Sequence, residues 1–365
     1  MSVNFSAERW EKIIRDCEKW WQGTLGRPLI QIRLKGRQPD RDEPSLPYFE
    51  FTSFYDETIS AEHIIDRIDF KLAGVTFMGD AFPHFWPNFG PGVIAAFLGC
   101  PLKNGVDTVW FQPETTPDIH SLSFRFDPDN FWFRRICDIL RAAQERWGNR
   151  VQLGLTDLGG NLDILSSFRP SESLLLDLYD HPDQVRRLTW EAHQVWWDYF
   201  EAFNEIQGAT NPGTTAWAPI FSPGRYYMLQ CDFSYMISPA MFDTFVKPEL
   251  DATIARLDHP FYHLDGIGEL PHLDALLQMP KLKGIQWVPG DGKPDVSRWP
   301  EIYRKISEAG KLTQFFSSQY HGNPFELLDV LQRQLGAVDN MVYMIDAPIS
   351  QQREAEKLLE RYGFS

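Results

Sequence analysis

Leu312-Thr313-Gln314-Phe315-Phe316 is a short apolar run. Pro324–Leu335 follows it with apolar residues at helical spacing and Gly336 at its close, and Met341-Val342-Tyr343-Met344-Ile345 is a second apolar run. Strand, helix and strand at this pace imply a βαβ unit, because two parallel strands can be joined only by a crossover. The rhythm extends both ways. Upstream, Phe261–Leu264 reads as a strand, Leu270–Gln278 as a short helix, Ile285–Val288 as a strand and Val296–Ala309 as a helix; downstream, Gln351–Tyr362 reads as a helix.

The N-terminal half adds four strands, Leu29–Leu34, Val75–Met78, Val151–Thr156 and Thr214–Ala218, with long helices between them. The clearest helix follows His181-Pro182 and places Val185, Leu188, Ala192, Val195, Trp196, Tyr199, Phe203 and Ile206 on one face. Four strands and four more predict one α/β domain, a (β/α)8 TIM barrel over 28–365. An N-terminal helical extension in 1–27 precedes it, capped by Ser6 and carrying Trp10, Ile13, Ile14, Cys17, Trp20 and Trp21. Lys35–Pro47, polar and rich in proline, reads as a loop insertion. The rival doubly wound sheet lacks its mark, since no GxGxxG or GxxxxGK[ST] follows a strand.

The 365 residues carry 35 Lys and Arg against 50 Asp and Glu, a net charge of −15, which argues against nucleic acid and anionic membrane as partners. With 43% hydrophobic residues the chain can build a full core. Its four cysteines, Cys17, Cys100, Cys137 and Cys231, are widely separated, the pattern of reduced thiols in a cytoplasmic protein. Met1–Ser6 shows no basic segment leading into an apolar one, so no secretory leader is expected, and Val93–Leu98 is far too short to cross a bilayer.

A barrel keeps its chemistry at the C-terminal ends of its strands. The residues just past the predicted strands include Asp80, Asp157, Asp265 and Asp346. Tyr262-His263-Leu264-Asp265-Gly266 is the sharpest of these motifs. Residues two apart on a strand share a face, so His263 and Asp265 form either a metal-ligand pair or an acid/base pair; otherwise Asp265 caps the next turn and His263 is a core histidine. Asp80 opens a stiff loop rich in Pro, Gly and aromatics, in which Trp86 and Asn88 read as a substrate wall or as a lid. Asp157, before Gly159-Gly160, is a further pocket candidate, and Asp232 sits in the loop after Ala218. Trp217 and Trp287 read as stacking platforms or as core.

These segments resemble the uroporphyrinogen decarboxylase superfamily, which also contains the methylcobamide:thiol methyltransferases. The resemblance runs from Asp66 to the C-terminus. It is carried by Phe77-Met78-Gly79-Asp80, Leu98-Gly99, Ser171-Glu172 through His181-Pro182, Ile237-Ser238-Pro239 through Lys247-Pro248, and Tyr262–Gly266. It implies a TIM barrel, a tendency to homodimerise and, for the methyltransferase branch, a corrinoid protein as partner. In the decarboxylases an Asp matching Asp80 holds the pyrrole nitrogens. Their N-terminal Arg-rich motif has only a loose echo in Ile32-Arg33-Leu34-Lys35-Gly36-Arg37, and in place of their C-terminal His-Gly turn the strand ends Met344-Ile345-Asp346-Ala347-Pro348. The methyltransferases bind zinc through His-x-Cys and a later Cys. Here His263-Leu264-Asp265 and Asp346 stand at those positions, so the resemblance implies at most a harder divalent site, zinc on His263 and Asp265.

Three readings follow. The first is an enzyme of this superfamily, methyltransferase-like or of the lyase/decarboxylase kind, acting on a small molecule with His263, Asp265, Asp80 and Asp157 as the chemical groups. Trp86, Asn88, Asp232, Trp217, Trp287 and Asp346 would then bind substrate. The second is acid/base chemistry on a carbohydrate-like, polyhydroxylated substrate. The third is a small-molecule-binding barrel without catalysis.

Overall fold

The structure is a computed structural model that describes residues 3 and 5–364. Met1, Ser2 and Asn4, within the stretch read for a leader, lie outside the described residues. The strands, in chain order, are β1 (Leu29–Lys35), β2 (Val75–Gly79), β3 (His84–Phe85), β4 (Leu102–Asn104), β5 (Val109–Phe111), β6 (Gln152–Leu153), β7 (Tyr226–Gln230), β8 (His259–Asp265), β9 (Gly284–Val288), β10 (Leu312–Phe316) and β11 (Met341–Pro348). Seven of them form one sheet in the order β2-β1-β11-β10-β9-β8-β7, while β3 pairs with β6 and β4 with β5. Every pairing from β1 through β11 to β7 is parallel. The expected rhythm of the C-terminal half is therefore present, and the chain is mixed α/β with a mainly parallel sheet.

Parallel strands covered on both faces are apolar throughout. All five residues of β7 are buried, as are four of the five in β9. Helices pack on the sheet: Tyr303, on the helix Pro300–Glu308, meets Phe315 of β10 edge to face at 5.0 Å. The long helix Pro182–Gly208 packs Trp196 against Tyr227 of β7. The first helix, α1 (Ala7–Trp21), covers the end of the sheet where the strands begin. Ser6 caps it by accepting from the Arg9 amide at 3.2 Å. Trp21 stacks on His259 at 4.2 Å and donates from Nε1 to Phe221 O at 2.8 Å, and Trp20 lies over Phe261.

Two strand assignments made from sequence are corrected. Val75–Met78 is a strand, but β2 pairs antiparallel with β1, starting beside Lys35 and ending beside Gln31. The preceding helix α2 (Ala61–Ala73) delivers the chain to the C-terminal end of β1, where the Arg37 amide holds Gly74 O at 3.1 Å, so β2 can only run back. Thr214–Ala218 is not a strand. Apart from one antiparallel bridge, Thr214 to Ser222, it is an irregular buried segment. It leaves the β6 side through Leu155 N to Thr215 O (3.0 Å), sets the Trp217 ring against His263, and reaches β1 where Gln31 Nε2 donates to Pro219 O (3.0 Å). Sequence reading missed β7, as apolar a run as β9, because Thr214–Ala218 filled its place in the strand count. Among the described residues no helix is long and apolar enough to cross a membrane.

Candidate active site

His263, Gln286 and Gln314 occupy one row across β8, β9 and β10, paired by register. The row is hydrogen-bonded end to end. Gln314 Nε2 lies 3.4 Å from Met344 Sδ on β11, Gln286 Nε2 meets Gln314 Oε1, and His263 Nδ1 meets Gln286 Oε1. The thioether at the end fixes the direction of the row, because sulfur can accept a hydrogen bond but has no proton to give. Gln314 must turn its NH₂ toward Met344, so its oxygen faces Gln286. Gln286 in turn presents its oxygen to His263, and Nδ1 must carry the ring proton. Nε2 is left as the free nitrogen, facing Asp265 Oδ2 at 3.7 Å. Trp217 stands edge-on to the imidazole at 5.4 Å, with the planes at 89°.

Asp265 faces that nitrogen, and Asp232 and Asp157 act on the ring as further charges. Burial lowers the basicity of His263, but its contact with Asp265 and the charges of Asp232 and Asp265 outweigh burial and raise its pKa above the ordinary value. Asp157 accepts from the Gly159 and Gly92 amides at 3.0 and 3.4 Å. Its burial is stronger than those bonds and pushes its pKa up to about 6. The two loops meet so closely that a Cβ on Gly159, whose φ is +80°, would strike the Gly92 backbone. Asp163, in the first turn of the helix Asn161–Phe168, accepts from the Asp232 and Phe233 amides at 3.0 and 2.8 Å, which fixes the turn that carries Asp232. Burial and the neighbouring Asp232 raise the Asp163 pKa. The Asp232 carboxylate opens toward a cavity of about 430 Å³ walled by Trp110, Phe111, Met236 and Gln230.

A second cleft, about 160 Å³, opens where β1 and β11 end. Trp86, Asn88 and Asp346 line it together with Arg33, Lys35, Lys71 and His84. Asp346 is ion-paired to Arg33 at 2.6 Å and to Lys35 at 2.9 Å. Burial raises the Asp346 pKa, but the two cations outweigh it and hold the pKa below the usual carboxylate range. The strands being parallel, this cleft lies along the same edge of the sheet as Asp265.

Two expected site residues lie elsewhere. Asp80 follows the antiparallel β2 and so sits where β1 begins. It is fully buried, with a bidentate Arg27 (2.7 and 2.9 Å) and the Ile30 amide (2.9 Å) on its carboxylate. Gly79, at φ +61°, makes the turn that brings it there, in a place where a Cβ would collide with Ile30 O. Asp80 is a structural anchor and does not reach the cavity. Trp287 points to the opposite face of β9 from Gln286, is wholly buried, and packs edge to face on Trp299 at 5.4 Å; it belongs to the core. The glutamines and Glu269 were missed from sequence, and Asp163, which the sequence places at a helix start, is in the first turn of Asn161–Phe168. One signal was visible: a single Gln interrupts each of two successive apolar strands.

A zinc ion needs three or four ligands. His263 and Asp265 offer two, and among the described residues no group of three or more His, Cys, Asp or Glu is arranged to hold a metal. All four cysteines are buried, free thiols. The pair does not fit a zinc site.

No family model matches the chain, and no curated protein matches it. Among solved structures, a methyltransferase from Methanosarcina mazei superposes with a TM-score of 0.52 at 13% identity, over 76% of this chain and 79% of that one. The likeness is one of fold.

Proposed function

We propose that this chain is a small-molecule enzyme of the methyltransferase branch of the uroporphyrinogen decarboxylase superfamily, built on an eight-stranded parallel barrel. The barrel would comprise β1, β3 and β6–β11, with β2 and the 214–222 segment lying in its two seams. The shared fold with a methyltransferase supports the branch. The observation that carries the chemistry is the amide row that locks the Nδ1 proton and turns Nε2 toward the acids.

In this reading His263 is the base. An acceptor X–H attacks a methyl carbon, so that the X–C bond forms as the bond from carbon to the donor breaks, and the electron pair of that bond leaves with the donor. The X–H proton passes to Nε2. Asp265 and Asp232 stabilise the imidazolium, as a carboxylate beside histidine does in acid/base sites. The test is single-turnover methyl transfer to thiol and hydroxyl acceptors by wild type and His263→Gln. Transfer that disappears in the folded variant supports the proposal, and transfer that survives it overturns it.

A second reading, acid/base chemistry on a polyhydroxylated substrate, rests on the larger cavity. There Asp163 and Asp232 stand among Thr108, Gln112, Ser166 and Ser167, beside the half-exposed Trp110. Release of reducing sugar from glycosides, lost in Asp232→Asn, would favour it over methyl transfer.

A further inference from the structure

Behind β8, on the face away from His263, lies a second polar compartment that the proposed chemistry does not use. Glu269 closes the loop that follows Asp265, with its amide bonded to Gly266 O at 3.1 Å. It is wholly buried, and neither carboxyl oxygen has a hydrogen-bond partner. Three neighbours are also buried without a well-formed hydrogen bond, Tyr262 Oη and Ser234 Oγ, which lie near each other, and His272 Nδ1. His272 Nε2 donates to Ser234 O at 2.9 Å and its ring stacks on Phe242 at 4.4 Å, so Nδ1 is an acceptor held in place. Asp232, Asp163 and Asp265 act on Glu269 as like charges, and only the Asp265 backbone opposes them, with no cation among these groups; Cys231 and Tyr262 are also close to it.

A carboxylate in such a place would be buried, without a cation, held by no more than the Asp265 backbone and repelled by three other carboxylates. The cost of that state far exceeds the cost of holding a proton. Buried polar groups left unsatisfied close together also mark internal water, which usually makes about three bonds to such groups.

We propose that Glu269 is a permanently neutral carboxylic acid that binds internal water together with Tyr262 and Ser234, and that it serves as the positioning residue for Asp265. Its hydroxyl donates into the water and its carbonyl accepts from it. The loop 266–269 is thereby pinned, and Asp265 with it. Because Glu269 stays neutral, no further charge is added to the field on His263. The inference does not depend on which molecule the cavity takes. Burial, followed by Asp232 and Asp163, pushes the Glu269 pKa up to about 10, in keeping with this.

The test reads protonation and position without turnover. Infrared difference spectra of wild type against Glu269→Gln at about pH 8 should show the carbonyl band of a neutral carboxylic acid, shifted in Tyr262→Phe. The folded-state pKa is raised, so wild type loses stability as pH climbs from the unfolded value toward about 10. The Tm advantage of Glu269→Gln over wild type should therefore widen from about pH 5 to about pH 9, with the unfolding constant of wild type rising by up to about tenfold per pH unit relative to the variant. The midpoint of the His263 ring titration should stay put in Glu269→Gln and fall in Glu269→Ala, where Asp265 is released. Carboxylate bands alone at about pH 8 would overturn the proposal. So would a Tm gap that is flat with pH, or a His263 midpoint that falls in the Gln variant. If Glu269→Gln does not fold, a pH titration of the infrared band in wild type and Tyr262→Phe decides the same question.

Discussion

The His263 Nδ1 proton is committed to Gln286 Oε1, and that one bond determines which imidazole nitrogen faces the acids. Gln286→Leu removes the acceptor while keeping the volume close. Loss of such an orienting partner usually costs 10- to 100-fold, so the methyl transfer proposed above should fall by about that factor while the protein stays folded. The ring nitrogens of His263 in an NMR spectrum should change from one tautomer to a mixture. A ring that keeps its single tautomer in the variant would show that Gln286 does not set it.

The pH dependence of stability carries the signature of His263. Its folded-state pKa is raised above 6.5, against the pull of burial, by Asp265 and Asp232. A raised histidine binds its proton more tightly when folded. Its stabilisation is complete below about pH 6.5 and disappears as pH rises through the folded value, at no more than about 1.4 kcal/mol per pH unit. Urea titrations of wild type and His263→Gln should therefore converge as pH rises through that window. A difference between them that does not vary with pH contradicts the assignment.

Arg27 and Asp80 tie the first helix to the start of β1, with the guanidinium also held by Asp16 at 3.0 Å and covered by the Phe364 ring at 3.7 Å. Arg27→Leu leaves Asp80 buried without its cation, a change that typically costs about 3–5 kcal/mol. Arg27→Leu with Asp80→Leu should recover much of that loss. Denaturant unfolding measures both, and methyl transfer by the folded double variant should match wild type, because this pair lies at the far end of the strands from His263.

How far the sequence can be read depends on where its information sits. The C-terminal βαβ rhythm was legible because each strand there is a compact apolar run with a helix on either side. The sense of β2 was not, since pairing direction depends on where α2 delivers the chain, and no local pattern records that. Thr214–Ala218 has the composition of a strand, yet it spends its backbone bonds on Leu155, on Ser222 and on Ile220 and the Tyr226 hydroxyl, in different directions. At the site, His263 and Asp265 showed through their i, i+2 spacing. Gln286 and Gln314 are neutral, and they acquire meaning only when β8, β9 and β10 bring them into register. Asp80 misled because an acid after a strand looks the same whichever way the strand runs.

Trp217 and Trp287 distinguish the surroundings of His263 from the core by experiment. Trp217 meets His263 and is only partly buried, whereas Trp287 is sealed between β9 and Trp299. Trp287→Ala should cost about 3–5 kcal/mol, the range for emptying a large aromatic site. Trp217→Phe keeps a ring edge against the imidazole and should cost less than about 1.5 kcal/mol, as near-conservative swaps do. The two also differ as reporters. Adding a methyl acceptor should change tryptophan fluorescence in wild type and Trp287→Phe, and the change should be absent from Trp217→Phe. A response that survives in Trp217→Phe but vanishes in Trp287→Phe would place the ligand on the other face of the sheet and remove His263 from the site.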